Sequence, residues 1–392
     1  MTHPSDYNGC SMLISRLVLK NWRNFRTFDV PLSDRVIVIG PNASGKSNLL
    51  DVIRFLRDVA HPGGGLQRAI TQRGGLSKVR CLAARREPDV EIDVELSEGG
   101  AIPEYKYSIG ITQQVRGYRQ PVLRYERVWK NGSLLLSRPD ESDRQDPLRM
   151  TQTHLEQISA NAEFRPIARF FDSIRYLHVV PQLLRHPEAF QGPSVPEDPY
   201  GRNFLEMVAK TPEKTRRSRL RKIEAALRVA VPQLTKLTDT KDDAGIPHLE
   251  AGYKHWRPNA GRQREDQFSD GTIRLIGLFW SLLEGDAPLL LEEPELSLHS
   301  EIVKRLPALF SRLQRQTKRQ LFISTHSWDL LSEKSIGGEE VVMLTPGQEG
   351  TNAALASSSK EVRALLEAGL SIADAALPST VPPLLDQLDL FQ

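Results

Sequence analysis

The sequence predicts an α/β protein built around a phosphate-binding strand, loop and helix. Three observations carry the prediction. A buried-strand run, Val36 to Ile39, ends in a glycine-bounded loop and is followed by helix from Lys46 to about Val59. Segments between Asp89 and Leu136 alternate apolar and polar residues, as antiparallel strands with one covered face do. Two further apolar runs, Leu289–Leu291 and Leu321–Ile323, end in paired carboxylates and in a histidine.

In chain order, residues 1–11 are polar and are expected to form a disordered leader, with Met12 a candidate start. From Leu13 the alternation in ISRLVLKNWRNFRTFDVPL is strand-like, and HPGGG at 61–65 breaks the chain. DVEIDVEL points Val90, Ile92, Val94 and Leu96 to one face, and EYKYSIGI does the same with Tyr105, Tyr107, Ile109 and Ile111. Asn131-Gly132 between apolar runs reads as a hairpin turn. Residues 137–150 are charged and read as loop, about 152–172 as helix, and SIRYLHVV at 173–180 as strand. The Pro- and Gly-rich stretch 187–201 reads as a linker, and Arg202 to Val231 as basic helix. A second strand–helix region runs from about 246 to 345. Beyond Pro346 come a polar stretch, a helix at about 359–376 and a tail whose prolines resist folding. No internal repeat is present.

Composition narrows the class. With 39% hydrophobic and 26% charged residues, the 392-residue chain has enough apolar side chains for a sizeable core, which excludes a disordered protein. No apolar run approaches the ~18 residues of a membrane span. The first residues lack a basic and then apolar secretory pattern. Two cysteines, Cys10 and Cys81, make neither a disulfide framework nor a four-cysteine zinc site, so a reducing, cytoplasmic setting is expected. The net charge of +3 permits a polyanionic partner without requiring one.

The strongest motif is Gly40-Pro41-Asn42-Ala43-Ser44-Gly45-Lys46-Ser47, followed by Asn48. It matches GxxxxGK[ST], with a hydrophobic strand before it and a helix after it. Backbone N–H groups of such a loop converge on phosphate oxygens, and the helix N-terminus adds partial positive charge. Lys46 should reach the β/γ-phosphates and the Ser47 hydroxyl should ligate Mg²⁺. Leu289-Leu290-Leu291-Glu292-Glu293-Pro294-Glu295 reads as a buried strand delivering acids to its carboxyl end, where open α/β sheets bind ligands. One carboxylate can hold the metal shell and the next can act as general base. Ser269-Asp270-Gly271 opens an apolar helix, as ordinary N-capping or as a second anion site. Ser324-Thr325-His326-Ser327 ends a further strand, placing His326 where a γ-phosphate contact is possible.

The order of these motifs, with Ser297-Leu298-His299 between the last two, closely resembles the ABC-type ATPase heads of the SMC and RecF class. The nearest likeness is to AAA-family ATPases that share an OLD-like head, and it covers roughly residues 12–345. The resemblance implies a two-lobed P-loop ATPase head, combining an antiparallel meander with a short helical insertion at about 196–232. It implies that one lobe pairs the phosphate-loop sheet with the meander. The other lobe would carry the signature helix, the leucine strand and the histidine strand. Glu292 then matches the Mg²⁺-shell carboxylate, Glu293 the catalytic glutamate, His326 the switch histidine and Ser297 to His299 the D-loop. Ser269, Asp270 and Gly271 match the signature that completes the ATP site of the opposite subunit in a head-to-tail homodimer. Gln182 is the candidate lobe-bridging glutamine near the metal, and Asn24 and Arg26 lie where family members approach the nucleotide.

The departures from the pattern are informative. Glu stands for the usual Asp at 292, and Asp270 replaces a signature glycine. No coiled-coil heptad run interrupts the head. About 47 residues follow position 345, too few for the TOPRIM nuclease domain of OLD proteins, so if DNA is cut a partner is expected to do it.

Two further segments suggest partners. Residues 200–231 hold nine basic and three acidic residues, and Arg216, Arg217, Arg219, Arg221 and Lys222 are the candidate DNA contacts. The alternative is a solvated helix face. The final Gln387-Leu388-Asp389-Leu390-Phe391 resembles the pentapeptide by which bacterial proteins bind the DNA sliding clamp. Behind a proline-rich tether it would be available for that pocket.

The leading functional expectation is an ATP-hydrolysing protein of DNA repair, replication-linked metabolism or phage defence, dimerising with ATP and recruited by the clamp. The alternative is an ATPase that sequesters or activates a separately encoded nuclease or toxin. A binding module with a dead site fits poorly with Lys46, Ser47 and Glu293 all in place.

Overall fold

The computed structural model describes residues 12–84, 88–98, 102–114, 119–186, 200–254 and 261–381. The described strands run, in order, β1 (Leu13–Trp22), β2 (Phe25–Pro31), β3 (Arg35–Ile39), β4 (Val90–Ser97), β5 (Tyr105–Gln113), β6 (Pro121–Lys130), β7 (Ser133–Arg138) and β8 (Arg175–Leu177). They continue as β9 (Leu234–Lys241), β10 (Pro247–Tyr253), β11 (Arg262–Arg264), β12 (Leu289–Glu292), β13 (Leu321–Ser324), β14 (Val341–Gly347) and β15 (Gly350–Leu355). Two compact units divide the chain. The first comprises Met1–Arg175, Asp286–Leu290 and Gln314–Gln392, and the second Tyr176–Gly285 and Leu291–Leu313.

In the first unit the expected meander is a six-stranded antiparallel sheet, ordered β2-β1-β4-β5-β6-β7. Alternation sets its register. Val90, Ile92, Val94 and Leu96 are all buried, as are Tyr105, Tyr107, Ile109 and Ile111. Asn131 and Gly132, at φ 48° and 80°, close the β6–β7 hairpin as the sequence predicted. The second sheet has the order β15-β14-β3-β13-β12-β8. Its centre, β3, is buried at every residue because it pairs in parallel with β13 on one side and β14 on the other. The helix Lys46–Ala60 buries Leu49, Leu50, Val52, Ile53, Phe55, Leu56 and Val59 along one face.

The lobe assignment of the histidine strand is corrected. β13 lies beside β3 in the first unit, with Leu321 opposite Arg35 and Ser324 opposite Val38. β12 begins in this unit too, where the Leu289 N–H donates to the Gln320 carbonyl at 3.0 Å. Two charge clusters brace the unit. Asp51 receives Arg23 and Arg73, each at 2.9 Å. Burial works to raise the Asp51 carboxyl, but the two guanidiniums outweigh it and hold it below its ordinary value.

The stretch 137–150, expected as loop, is ordered instead. β7 ends at Arg138, and Asp140 caps a short helix, Glu141–Gln145, in a reciprocal capping box. The Arg138 side chain is fully buried and pairs with Glu126 at 3.0 Å and Asp143 at 2.9 Å, whose side chains are also fully buried. It also donates to the carbonyls of Arg149 and Gln152. Burial pushes the Glu126 carboxyl up, and burial with Glu126 beside it pushes the Tyr107 phenol up. Burial acts the same way on Asp143, but hydrogen bonds from Arg138 and the Asp140 N–H outweigh it and hold that carboxyl well below the usual range.

Other boundaries also shift. The helix expected at 152–172 is confined to Arg165–Ser173. Upstream, Thr153 bonds Glu156 and Asn161 bonds the Leu155 carbonyl, local contacts that compete with helix. The strand at 173–180 shrinks to β8, because the helix Pro181–Arg185 follows closely. The tail helix splits into Lys360–Glu367 and Ile372–Ala376, with Gly369 at φ 88° between them. The boundary expected at 345 falls inside the β14–β15 hairpin.

The second unit packs a three-stranded sheet, β11-β10-β9, against helices Phe204–Lys210, Glu213–Ala230 and Asp270–Leu282. The region expected to be one basic helix is two, broken at Pro212. Leu220, Ile223 and Leu227 form the buried stripe of the longer helix, packed with Leu234, Leu237, Leu249, Phe268 and Trp280. β9 lies ahead of the second strand–helix region expected from the sequence to start near residue 246. The leader, most of the 187–201 linker and the 387–391 tail lie outside the described residues.

Candidate functional site

In the first unit, β3 delivers Gly40 and the loop Pro41–Gly45 to the start of the Lys46–Ala60 helix. That helix has no side-chain cap at its start and no acidic residue in its first turn. Its first N–H groups are therefore left for an anion. Lys46, 8% exposed, donates from Nζ to the carbonyls of Gly40 at 2.9 Å and Pro41 at 3.3 Å. Ser47 is exposed beside it. Ser44 is fully buried, and its hydroxyl finds no partner among the described residues.

Asn24, expected near the nucleotide, is placed as a prop for this loop. Its amide donates to the Ser44 carbonyl and to the Thr351 hydroxyl, both at 2.6 Å, and accepts from the Asn48 amide at 2.8 Å. Gly45 sits at φ 101°, and a Cβ there would lie 2.1 Å from the Asn24 amide nitrogen, so only glycine fits. Thr351, on β15, also donates to the Ser44 carbonyl at 2.8 Å. It had no motif to reveal it. Arg26 instead pairs with Glu349. His326 is exposed just past β13, where the Thr325 N–H donates to the Val38 carbonyl at 3.1 Å.

In the second unit Glu292 ends β12, and Glu293 follows with φ 45°. A non-glycine residue in that left-handed region is held there by its surroundings, a pattern that clusters at functional sites. The Glu292 carboxylate accepts the Tyr176 hydroxyl, and its carbonyl lies 3.2 Å from His178 Nδ1. Neither residue was singled out in the sequence. Arg274, on the signature helix, is a further omission. Burial lowers its guanidinium from its ordinary value, opposed by the charges of Asp270, Glu293 and Glu295.

Ser269 caps that helix, accepting the Thr272 N–H at 3.2 Å. Asp270 pairs with Arg185 at 2.7 Å, and Arg185 also donates to the Phe268 carbonyl. Gln182 is exposed on the same short helix as Arg185. Gly271 faces Ser297, itself at φ 61°, and a Cβ on Gly271 would lie 2.8 Å from the Ser297 carbonyl oxygen. The segments around Gly271 and Ser297 thus approach each other closely through a glycine. Gly271→Ala is expected to push them apart and to lower ATP turnover about 10-fold or more, with little change in unfolding midpoint, read by steady-state hydrolysis beside urea denaturation.

The candidate DNA contacts divide. Arg216 pairs with Asp239 at 2.8 Å and donates to the carbonyls of Ala209 and Thr211, and Arg219 lies 5.1 Å from the Trp280 ring centroid. These two brace their own unit. Arg217, Arg221 and Lys222 are exposed, with Arg217 paired to Glu213 one helical turn away.

A hydroxyl, a carboxylate and a side-chain amide oxygen, from Ser47, Glu292 and Gln182, are the hard donors Mg²⁺ prefers. That ion usually keeps several waters and substrate oxygens, so few protein ligands suffice. Among the described residues no cluster of three His, Cys, Asp or Glu side chains offers an all-protein metal cage. By donor type alone, each of these residues suits a nucleotide-borne ion better than a resident one.

A family model described as "AAA domain, putative AbiEii toxin, Type IV TA system" matches residues 35–333. The DNA replication and repair protein RecF of Bacillus cytotoxicus is 30% identical over 91 residues, 23% of this chain and 24% of that protein. RecF of Brucella abortus is 36% identical over 95 residues, 22% of this chain and 24% of that protein. The chain thus spans about a quarter of the length of these curated relatives. Among solved structures, an Smc head bound to the C-terminal winged-helix domain of ScpA has a TM-score of 0.51 at 15% identity, covering 87% of this chain and 97% of that one. An Smc head with an extended coiled coil, derived from Pyrococcus furiosus, gives 0.51 at 13% identity, covering 92% and 100%. These structures show the fold, that of a two-lobed SMC-like P-loop ATPase head. No helix among the described residues is long and apolar enough to cross a membrane.

Proposed function

Since the chain belongs to the family "AAA domain, putative AbiEii toxin, Type IV TA system", we propose that it binds and hydrolyses ATP to drive head-to-tail dimerisation on DNA. One observation carries the reading: a GKS loop on a helix start free of caps and acids, with Lys46 buried against the loop and Ser47 exposed. Lys46 exchanges its bonds to the Gly40 and Pro41 carbonyls for phosphate oxygens. Glu293 accepts a proton from the attacking water, and His326 contacts the terminal phosphate. Bound Mg²⁺ supplies charge neutralisation at the phosphates. Ser269, Asp270 and Gly271 serve the nucleotide of a second copy.

DNA engagement rests on the exposed basic residues Arg217, Arg221 and Lys222 and on the partial likeness to RecF. The terminal Gln387–Phe391 segment would recruit the protein to a sliding clamp. The family description favours a second reading, in which the ATPase controls a separately encoded toxin or nuclease. Hydrolysis by the purified chain, with and without duplex DNA, tests the proposal. Lys46→Ala should remove nucleotide binding, and turnover should rise with DNA in the unaltered chain. Equal hydrolysis by Lys46→Ala would sink the assignment. DNA-insensitive hydrolysis together with co-purification of a nuclease or toxin would move the protein to the second reading.

A further inference from the structure

We propose that Tyr176 is a positioning residue for the metal-shell carboxylate of Glu292, an inference that rests on the ATPase reading above. Glu292 occupies a position where the related pattern has Asp. The additional methylene adds a rotatable bond between backbone and carboxylate. A longer ligand reaches further but points less reliably, and a metal ligand about 1 Å out of place loses much of its value. The second unit supplies a remedy of its own. The Tyr176 hydroxyl donates to Glu292 Oε2, a hydrogen bond to an ionised acceptor and so among the stronger kinds. It holds the carboxylate in one orientation, which would give a bound ion a fixed ligand. His178 stands two residues on, with Nδ1 3.2 Å from the Glu292 carbonyl, and steadies the backbone from which that side chain springs.

The spacing explains how one short strand does both jobs. β8 ends at Leu177, and residues 176 and 178 share one side of an extended segment. Tyr176 therefore meets the carboxylate while His178 meets the main chain of the same glutamate. Glu292 and Tyr176 together recover the fixed aim that a shorter aspartate has by itself. Partners that orient a metal ligand typically change metal affinity or activity 10–100-fold when removed.

The test uses the full chain and Tyr176→Phe, which keeps the ring and deletes the hydroxyl. Binding of a fluorescent ATP analogue is titrated with Mg²⁺, and separately measured in EDTA. The expected result is a half-saturating Mg²⁺ concentration raised about 10–100-fold, with unchanged nucleotide binding in EDTA and an unchanged urea midpoint. Glu292→Gln should abolish the Mg²⁺ response, and adding Tyr176→Phe to it should cost nothing more, since the hydroxyl acts through that carboxylate. A Tyr176→Phe midpoint within about 2-fold of the unaltered chain overturns the positioning role alone. An unaltered chain whose nucleotide binding ignores Mg²⁺ overturns the ATPase reading with it.

Discussion

Glu293→Gln is expected to lower ATP hydrolysis by about 10²–10⁴-fold while leaving nucleotide binding intact. The substitution keeps the size and shape of the side chain, so the left-handed backbone at φ 45° and the turn in which Leu296 N–H bonds the Glu293 carbonyl at 3.2 Å are preserved. What it removes is a group able to take a proton. It also removes one of the acidic charges acting on the partly desolvated Arg274, a smaller effect because Asp270 and Glu295 remain. With binding kept and hydrolysis stopped, an ATP-bound dimer should accumulate. Size-exclusion chromatography with light scattering, run with ATP and Mg²⁺, should show a mass near twice that of the nucleotide-free chain. Turnover at the unaltered rate would remove Glu293 from the chemistry, and a monomer at saturating ATP would remove dimerisation from the scheme.

The second large effect is on stability. Arg138→Met should destabilise the first unit by about 3–5 kcal/mol, because it removes the only cation paired with the buried Glu126 among the described residues and leaves buried Asp143 with Arg149 alone. The loss would not reflect the worth of an ion pair as such. Burying three charges is costly, and the cluster stands because Arg138 satisfies both carboxylates and two carbonyls at once. Adding Glu126→Gln and Asp143→Asn to Arg138→Met should therefore restore part of the loss, since neutral amides are cheaper to bury than orphaned carboxylates. Urea unfolding of the three variants measures this directly. A single variant as stable as the parent would mean that water reaches the cluster.

Much of this molecule was legible in its sequence. The GKS loop announces itself because every residue that shapes it locally is contiguous, and the alternation of residues 90–96 survives as buried positions between partly exposed ones, though in β5 Ser108 and Gly110 are buried as well. Tyr176 and Thr351 were not legible, for a common physical reason. Each acts through a partner distant in sequence: Tyr176 through Glu292, 116 residues on, and Thr351 through Ser44, 307 residues back. No periodicity encodes such a pairing. Arg138 was hidden differently, since a charged stretch reads as solvated until Glu126 and Asp143 are seen closing over it. Arg216 and Arg219 show the same limit in reverse. Composition placed them on a basic surface, whereas Asp239 and Trp280 draw them inward.

The prop beneath the phosphate loop bears on how the chain comes to life on the ribosome. Asn24 and Thr351, whose side chains meet at 2.6 Å, are 327 residues apart. At ~5–20 residues per second, on the order of 15–65 s separate their synthesis. Throughout that interval the nascent loop lacks half of its brace, and for most of it β3 also lacks both of its parallel neighbours, β13 and β14. On the function proposed above, competence to hold nucleotide thus waits for the synthesis of Thr351. The loop is thereby completed only after every residue of the second unit has been made.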